Sequence, residues 1–156
     1  MTRQLIAKSL ANRKIISLFA YRMTHIDNLP YILDKGFVLP TSPDADKDYV
    51  NIGDPTVISK RKGLNMQGYD LSKYIPFYFG PRSPMLYVIQ NGSTFVKRRN
   101  PEEIVYCSVK IKTLIHDNIK CVFTDGHAID TLSKYYPCSE LQNVDNYVKI
   151  EDVYEK

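Results

Sequence analysis

Apolar positions recur at three- and four-residue intervals through Leu5, Ile6, Leu10, Ile15, Ile16 and Phe19, which predicts a helix over residues 3 to 19, broken near Asn12. Tyr21-Arg22-Met23-Thr24 reads as extended chain. Asp27 or Asn28 then caps a helix over Leu29 to Lys35, with Pro30 in its first turn and Gly36 as its stop. From residue 40 to 70 the periodicity is lost among Pro40, Pro43, Gly53, Pro55, Gly63 and Gly68. Such a long loop is read either as a binding element or as a plain surface excursion. The apolar runs Ile75 to Phe79 and Met85 to Ile89, around a Gly80 to Pro84 turn, predict two buried strands. Val105 to Ile111 alternates as a further strand, and Lys120 to Thr124 is a shorter one. Ala128 to Tyr136 is weakly helical before Pro137, and helix spacing returns over Leu141 to Tyr154 through Val144, Tyr147 and Val148.

A chain of 156 residues has the size of one domain. No apolar run approaches the roughly 20 residues that span a bilayer, and the brief apolar N-terminal stretch lacks a secretory pattern. A cytoplasmic protein is therefore expected. Cys107, Cys121 and Cys138 are odd in number and lack metal-ligand spacing, so free thiols are expected and no metal. Charge is unevenly placed. Residues 1 to 100 carry 15 Lys and Arg against 7 Asp and Glu, whereas residues 101 to 156 carry 6 against 10. The cationic clusters Lys60-Arg61-Lys62 and Lys97-Arg98-Arg99 are suited to phosphates, or are solvated turns.

Tyr21 to Asn28 is the best local candidate for chemistry. A Thr24-His25 pair at a strand end, followed by a helix start, is placed to touch an anionic ligand, or else is a capping cluster. Arg82 in a turn and His127 after Gly126 are similarly open. The chain offers neither a phosphate loop nor a Rossmann glycine motif, and no nucleophile elbow. Any NAD site must use another fold.

Two long motifs narrow the choice. Tyr21-Arg22-Met23-Thr24-His25-Ile26-Asp27-Asn28-Leu29-Pro30-Tyr31-Ile32-Leu33 and Tyr74-Ile75-Pro76-Phe77-Tyr78-Phe79-Gly80-Pro81-Arg82-Ser83-Pro84-Met85-Leu86-Tyr87 resemble the DarT-type DNA ADP-ribosyltransferases, toxins of bacterial toxin-antitoxin pairs. Ile52-Gly53 with Ile58-Ser59-Lys60-Arg61, and Val122 to Ala128, are similar to the same family in the same order. The likeness runs from about Asn12 to Tyr147.

The resemblance implies an ADP-ribosyltransferase-like α+β fold over residues 1 to 156, a split mixed β-sheet flanked by helices with NAD in the cleft between its halves. It implies transfer of ADP-ribose from NAD, a co-substrate, to a base of single-stranded DNA, thymine before guanine. Thr24 and His25 would hold the nicotinamide end, with Ile26 and Leu33 lining it. Arg61, on an NAD-binding element from Asp48 to Met66, would orient the diphosphate and act in catalysis. Tyr78, Arg82 and Met85 would line the DNA groove, and His127 would open the substrate-recognition loop. An antitoxin protein is an expected partner.

In the family that loop closes with a glutamate, whose match would lie beyond Lys156. Glu140, Glu151 and Glu155 do not sit in a matching context. On this reading the 156 residues form a domain incomplete at its C-terminus, and bind more than they turn over. The alternative is a non-catalytic module that binds NAD, single-stranded DNA or an antitoxin.

Overall fold

The computed structural model of the chain describes residues 18–150 and 153. The helix expected over residues 3 to 19 lies, up to residue 17, outside the described residues, as do Glu151 and Glu155. Three two-stranded sheets are formed among the described residues. Strand β1 (Phe19–His25) pairs with β4 (Ile104–Lys110), β2 (Asn65–Met66) with β3 (Tyr69–Asp70), and β5 (Val122–Thr124) with β6 (Tyr135–Pro137). Among the described residues they are joined by the α-helices α1 (Leu29–Lys35), α2 (Pro55–Arg61), α3 (Pro84–Asn91) and α4 (Ile111–His116). The chain forms two compact units, and its path changes unit inside both β1 and β4.

The first unit holds residues 18 to 21, 78 to 81 and the chain from Ser108 onward. Its core is Leu18, Ala20, Ile111, Phe123, Tyr135, Leu141, Val144 and Ile150. Phe123 stacks on Tyr136 at 5.2 Å and meets Phe79 and Tyr147 edge-on, while Tyr136 and Tyr147 lie 4.2 Å apart. Their hydroxyls reach Asp125 and Glu140, so each ring buries apolar surface while keeping its polar tip bonded. Gly80 belongs to the same unit. A Cβ there would fall 2.5 Å from Val153 Cγ1 and 2.8 Å from its carbonyl oxygen, a space only glycine fits.

The second unit holds residues 22 to 77 and 82 to 107, around Met23, Ile52, Leu71, Ile89 and Val96. Helix α1 has the predicted bounds, and Gly36 ends it at φ 75, where a side chain would be strained. The expected loop over 40 to 70 contains a helix and a hairpin. Asp54 starts α2 by accepting from Thr56 N at 2.7 Å, and these bonds to Thr56 hold its carboxyl below the usual range. The hairpin turns on Gln67 and Gly68, both at positive φ.

Four predicted elements are corrected. Met85 to Ile89 is not a strand but the body of α3: Ser83 accepts from Leu86 N, Pro84 opens the first turn and Gly92 closes the last. A short apolar run has no period that separates the two conformations, and these flanking caps decide it. Ile75 to Phe79 joins no ladder beyond a bridge in which Tyr21 and Tyr78 exchange bonds of 2.7 and 2.8 Å. Ala128 to Tyr136 is not helical. Asp130 accepts from Leu132 N, the Ser133 hydroxyl donates to the carbonyl of His127, and the chain enters β6 at Tyr135. The helix expected from Leu141 is a kinked 3-10 segment over Cys138–Asn146.

The expectation of free thiols also fails in part. Cys121 and Cys138 form a disulfide, with Cα atoms 5.1 Å apart. The register of Val122 opposite Pro137 brings these two residues face to face as the next pair of the β5-β6 ladder. Cys107 is free. No group of three or more potential metal ligands occurs among the described residues, and no described helix is long and apolar enough to cross a membrane.

Candidate functional site

Thr24, His25, Ile26, Leu33 and Arg61 all belong to the second unit. Alternation along β1 ends at a 3-10 turn over Ile26–Asn28, and this turn draws the strand end inward. Thr24 is fully buried, His25 is 5% exposed and Asn28 is 1% exposed. Buried polar groups need partners, and Asn28 supplies them. Its Nδ2 donates to Thr24 Oγ1 at 2.9 Å and to the Val50 carbonyl at 2.9 Å, while its Oδ1 accepts from Val50 N at 2.8 Å. One amide thus ties the Thr24-His25 strand end to the start of the loop that leads into α2.

Tyr49, next to Val50, reaches the same place. Its hydroxyl lies 3.5 Å from Thr24 Oγ1 and accepts from Arg22 Nη2 at 3.3 Å. Arg22 also donates to the Pro76 carbonyl at 3.0 Å and lies over the Phe37 ring.

Both ring nitrogens of His25 have protein partners. The Asp27 amide donates to Nδ1 at 3.2 Å, and Nε2 lies 3.3 Å from Glu103 Oε1. The same carboxylate takes Arg99 Nη1 at 3.2 Å and the Asn100 amide at 2.8 Å. Asn100 N–H foremost, then His25 and Arg99, hold the Glu103 carboxyl down at about 2, so it is an anion throughout the physiological range. Sequence reasoning missed Glu103 as part of this site, and it placed Asn28 and Tyr49 only within the stretches Tyr21 to Asn28 and Asp48 to Met66, without their contacts to Thr24. Asn100-Pro101-Glu102-Glu103 carries a capping-box signal, which announces a local turn but not a contact with a residue 78 positions away.

Arg61 closes α2. Its Nη2 donates to the carbonyls of Leu71 and Tyr74, each at 3.2 Å, which anchors the guanidinium on the turn after β3. Ile26 is 44% and Leu33 82% exposed, so both present apolar surface outward. Arg82 is exposed and Met85 half-buried on or beside α3 in the second unit. Tyr78 and His127 belong to the first unit, half-buried and exposed respectively.

A separate open depression of about 700 Å³ lies in the second unit between Tyr31, Lys35, Val38 and residues 44 to 48. Asp44, Asp46 and Asp48 outnumber Lys35 and Lys47 there. That balance disfavours a diphosphate there.

Comparison with known proteins defines the class. Thermus sp. 2.9 DarT, solved in complex with ADP-ribosylated single-stranded DNA, superposes with a TM-score of 0.64 at 29% identity, covering 80% of this chain and 61% of that one. The same protein in complex with NAD+ gives 0.60 over 80% and 60%. The fold is thus ADP-ribosyltransferase-like, of the α+β class. A DNA ADP-ribosyl transferase of Escherichia coli O127:H6 is 40% identical over 119 residues, 74% of this chain and 55% of that protein. A Thermosipho africanus fusion of DNA ADP-ribosyl transferase and DNA ADP-ribosyl glycohydrolase is 31% identical over 137 residues, 85% of this chain and 33% of that protein. The family model described as "ssDNA thymidine ADP-ribosyltransferase, DarT" matches residues 21–156. The chain belongs to the DarT family. It spans about half the length of the first of these curated relatives and a third of the second.

Proposed function

We propose that these residues carry the NAD-binding part of a transferase that moves ADP-ribose from NAD to thymine in single-stranded DNA. The observation that carries the proposal is the family match over residues 21–156. Its NAD motif residues Thr24, His25, Ile26, Leu33 and Arg61 lie in one compact unit. On this reading Ile26 and Leu33 offer the apolar surface for the nicotinamide end, and the buried Thr24 and His25 fix the strand end that leads to it. Arg61, oriented by two carbonyls, is the cation proposed for the diphosphate. A planar cation held in place lowers the cost of ordering the ligand and stabilises negative charge as nicotinamide departs.

Tyr78, Arg82, Met85 and His127 are the proposed DNA contacts: a ring for stacking, two groups for phosphate or base edges, and a pliable apolar side chain. The family description supports thymidine over guanine as acceptor. The Thermosipho africanus relative joins the transferase to a DNA ADP-ribosyl glycohydrolase, which supports a protein partner of that opposing activity, an antitoxin.

Acceptor activation needs a carboxylate placed beside the acceptor base. Glu103 is committed to His25, Arg99 and the Asn100 amide, and Glu140 to Tyr147; neither is assigned that role, and these residues are expected to bind better than they transfer. A labelled single strand containing thymine, titrated with protein in the presence of NAD, tests both points. Its anisotropy is expected to show tighter binding than that of a strand with cytosine in place of thymine. Its mass afterwards is expected to be unchanged. Equal affinities contradict the base assignment, and a gain of one ADP-ribose contradicts the silence of these residues in transfer.

A further inference from the structure

We propose that Glu103 is a positioning residue of the NAD site, acting through His25 to hold its ring in one tautomer and one plane. The proposal rests on the reading of the second unit as NAD-binding.

The argument starts from hydrogen-bond inventory. A neutral imidazole has one donor and one acceptor, and its partners decide which nitrogen is which. The Asp27 amide points its hydrogen at Nδ1 from 3.2 Å, which favours a lone pair there with the strength of one neutral hydrogen bond. The proton then resides on Nε2, where Glu103 Oε1 at 3.3 Å receives it. The Asp27 carboxylate also approaches Nδ1, at 3.4 Å, but its side chain is 70% exposed. It serves Nδ1 only when that nitrogen carries the proton, the tautomer that forfeits the bond from Nε2 to Glu103.

Glu103 is itself held. Its Oε2 takes the Asn100 amide, and its Oε1 also takes the Arg99 guanidinium, whose side chain is only 15% exposed. A carboxylate fixed from two sides fixes the imidazole in turn. The tautomer and orientation of a site histidine are commonly set by such an acceptor on its second nitrogen. What this does for function follows from preorganisation. A side chain that is 7% exposed and pinned at both nitrogens presents a rigid edge to the ligand, and ligand binding then loses little in ordering it.

The test is a double-mutant cycle read by NAD titration, with ring-nitrogen NMR of the histidines as an independent readout. His25 is one of three histidines, and its signals are assigned by their loss in His25→Ala. In the wild type, His25 is expected as the pure Nε2–H tautomer, and in Glu103→Ala as a mixture. Glu103→Ala should lower NAD affinity about tenfold, as expected for losing one charge-assisted bond. In a His25→Ala background the same change should cost less than about twofold, because the residue through which it acts is gone. An equal loss in both backgrounds, or no loss in the wild type, overturns the proposal.

Should Glu103→Ala fail to fold, Glu103→Gln takes its place. Its amide oxygen still accepts from Nε2–H, so the tautomer and most of the NAD affinity should survive. A mixed tautomer with wild-type affinity overturns the proposal. A wild type that binds no NAD sinks the functional reading instead. The tautomer comparison still decides whether Glu103 governs His25.

Discussion

Replacing Arg61 by alanine is expected to weaken NAD binding by at least about tenfold, the scale of a lost hydrogen-bonded ion contact. Lys97→Ala, in the other cationic cluster of the same unit, should change it by less than about twofold, as expected of an exposed charge. The difference is positional. Arg61 is anchored by the carbonyls of Leu71 and Tyr74, so its fork is already oriented, whereas Lys97 is an exposed side chain. Arg61→Lys should recover little, since an ammonium on a flexible stem cannot satisfy two carbonyls and a diphosphate in one plane. Calorimetric titration of NAD into the three variants gives the comparison. Equal losses for Arg61→Ala and Lys97→Ala would remove Arg61 from the site.

Asn28→Ala should be the most damaging single polar change in the second unit, costing about 3 kcal/mol of unfolding free energy because several buried groups lose partners at once. The side chain makes three hydrogen bonds of 2.8 to 2.9 Å. Its removal leaves the Val50 amide and carbonyl unpaired and leaves Thr24 with only the long contact to Tyr49. Asn28→Asp should also destabilise the fold, since a carboxylate oxygen would then face the Val50 carbonyl. Thr94→Ala, at an exposed position, should stay within about 0.5 kcal/mol of wild type. Denaturant unfolding of the three variants measures these differences. An Asn28→Ala protein as stable as Thr94→Ala would show that the clamp between β1 and the loop does not hold the site together.

Local chemistry made part of this legible before any coordinates. The pairing of Pro30 with Gly36 delimits α1, and the alternation from Val105 delimits β4, because caps and period-two burial are written in neighbouring residues. Met85 to Ile89 was misread for the converse reason: its apolar residues suit a strand or a helix, and Ser83 with Gly92 decides between them. The two long motifs around His25 and Arg82 carried the family, and with it Arg61, which composition alone left as a charged turn. Long-range pairings stayed hidden. Nothing near His25 announces Glu103, and nothing near Cys121 announces Cys138; both pairs exist only once β1 and β4, or β5 and β6, have come together. Burial was hidden too. Thr24 and His25 were expected to reach a ligand with their polar atoms, whereas those atoms are engaged by Asn28, Asp27 and Glu103.

The central claim, that the second unit holds NAD at the end of β1 and at Arg61, is tested most directly by titrating NAD into isotope-labelled wild-type protein and following backbone amide resonances. Saturable, single-site shifts are predicted at Thr24, His25 and Ile26 and at the end of α2 around Arg61. Absence of saturable shifts there, or shifts confined to the acidic depression between Tyr31 and residues 44 to 48, would contradict it.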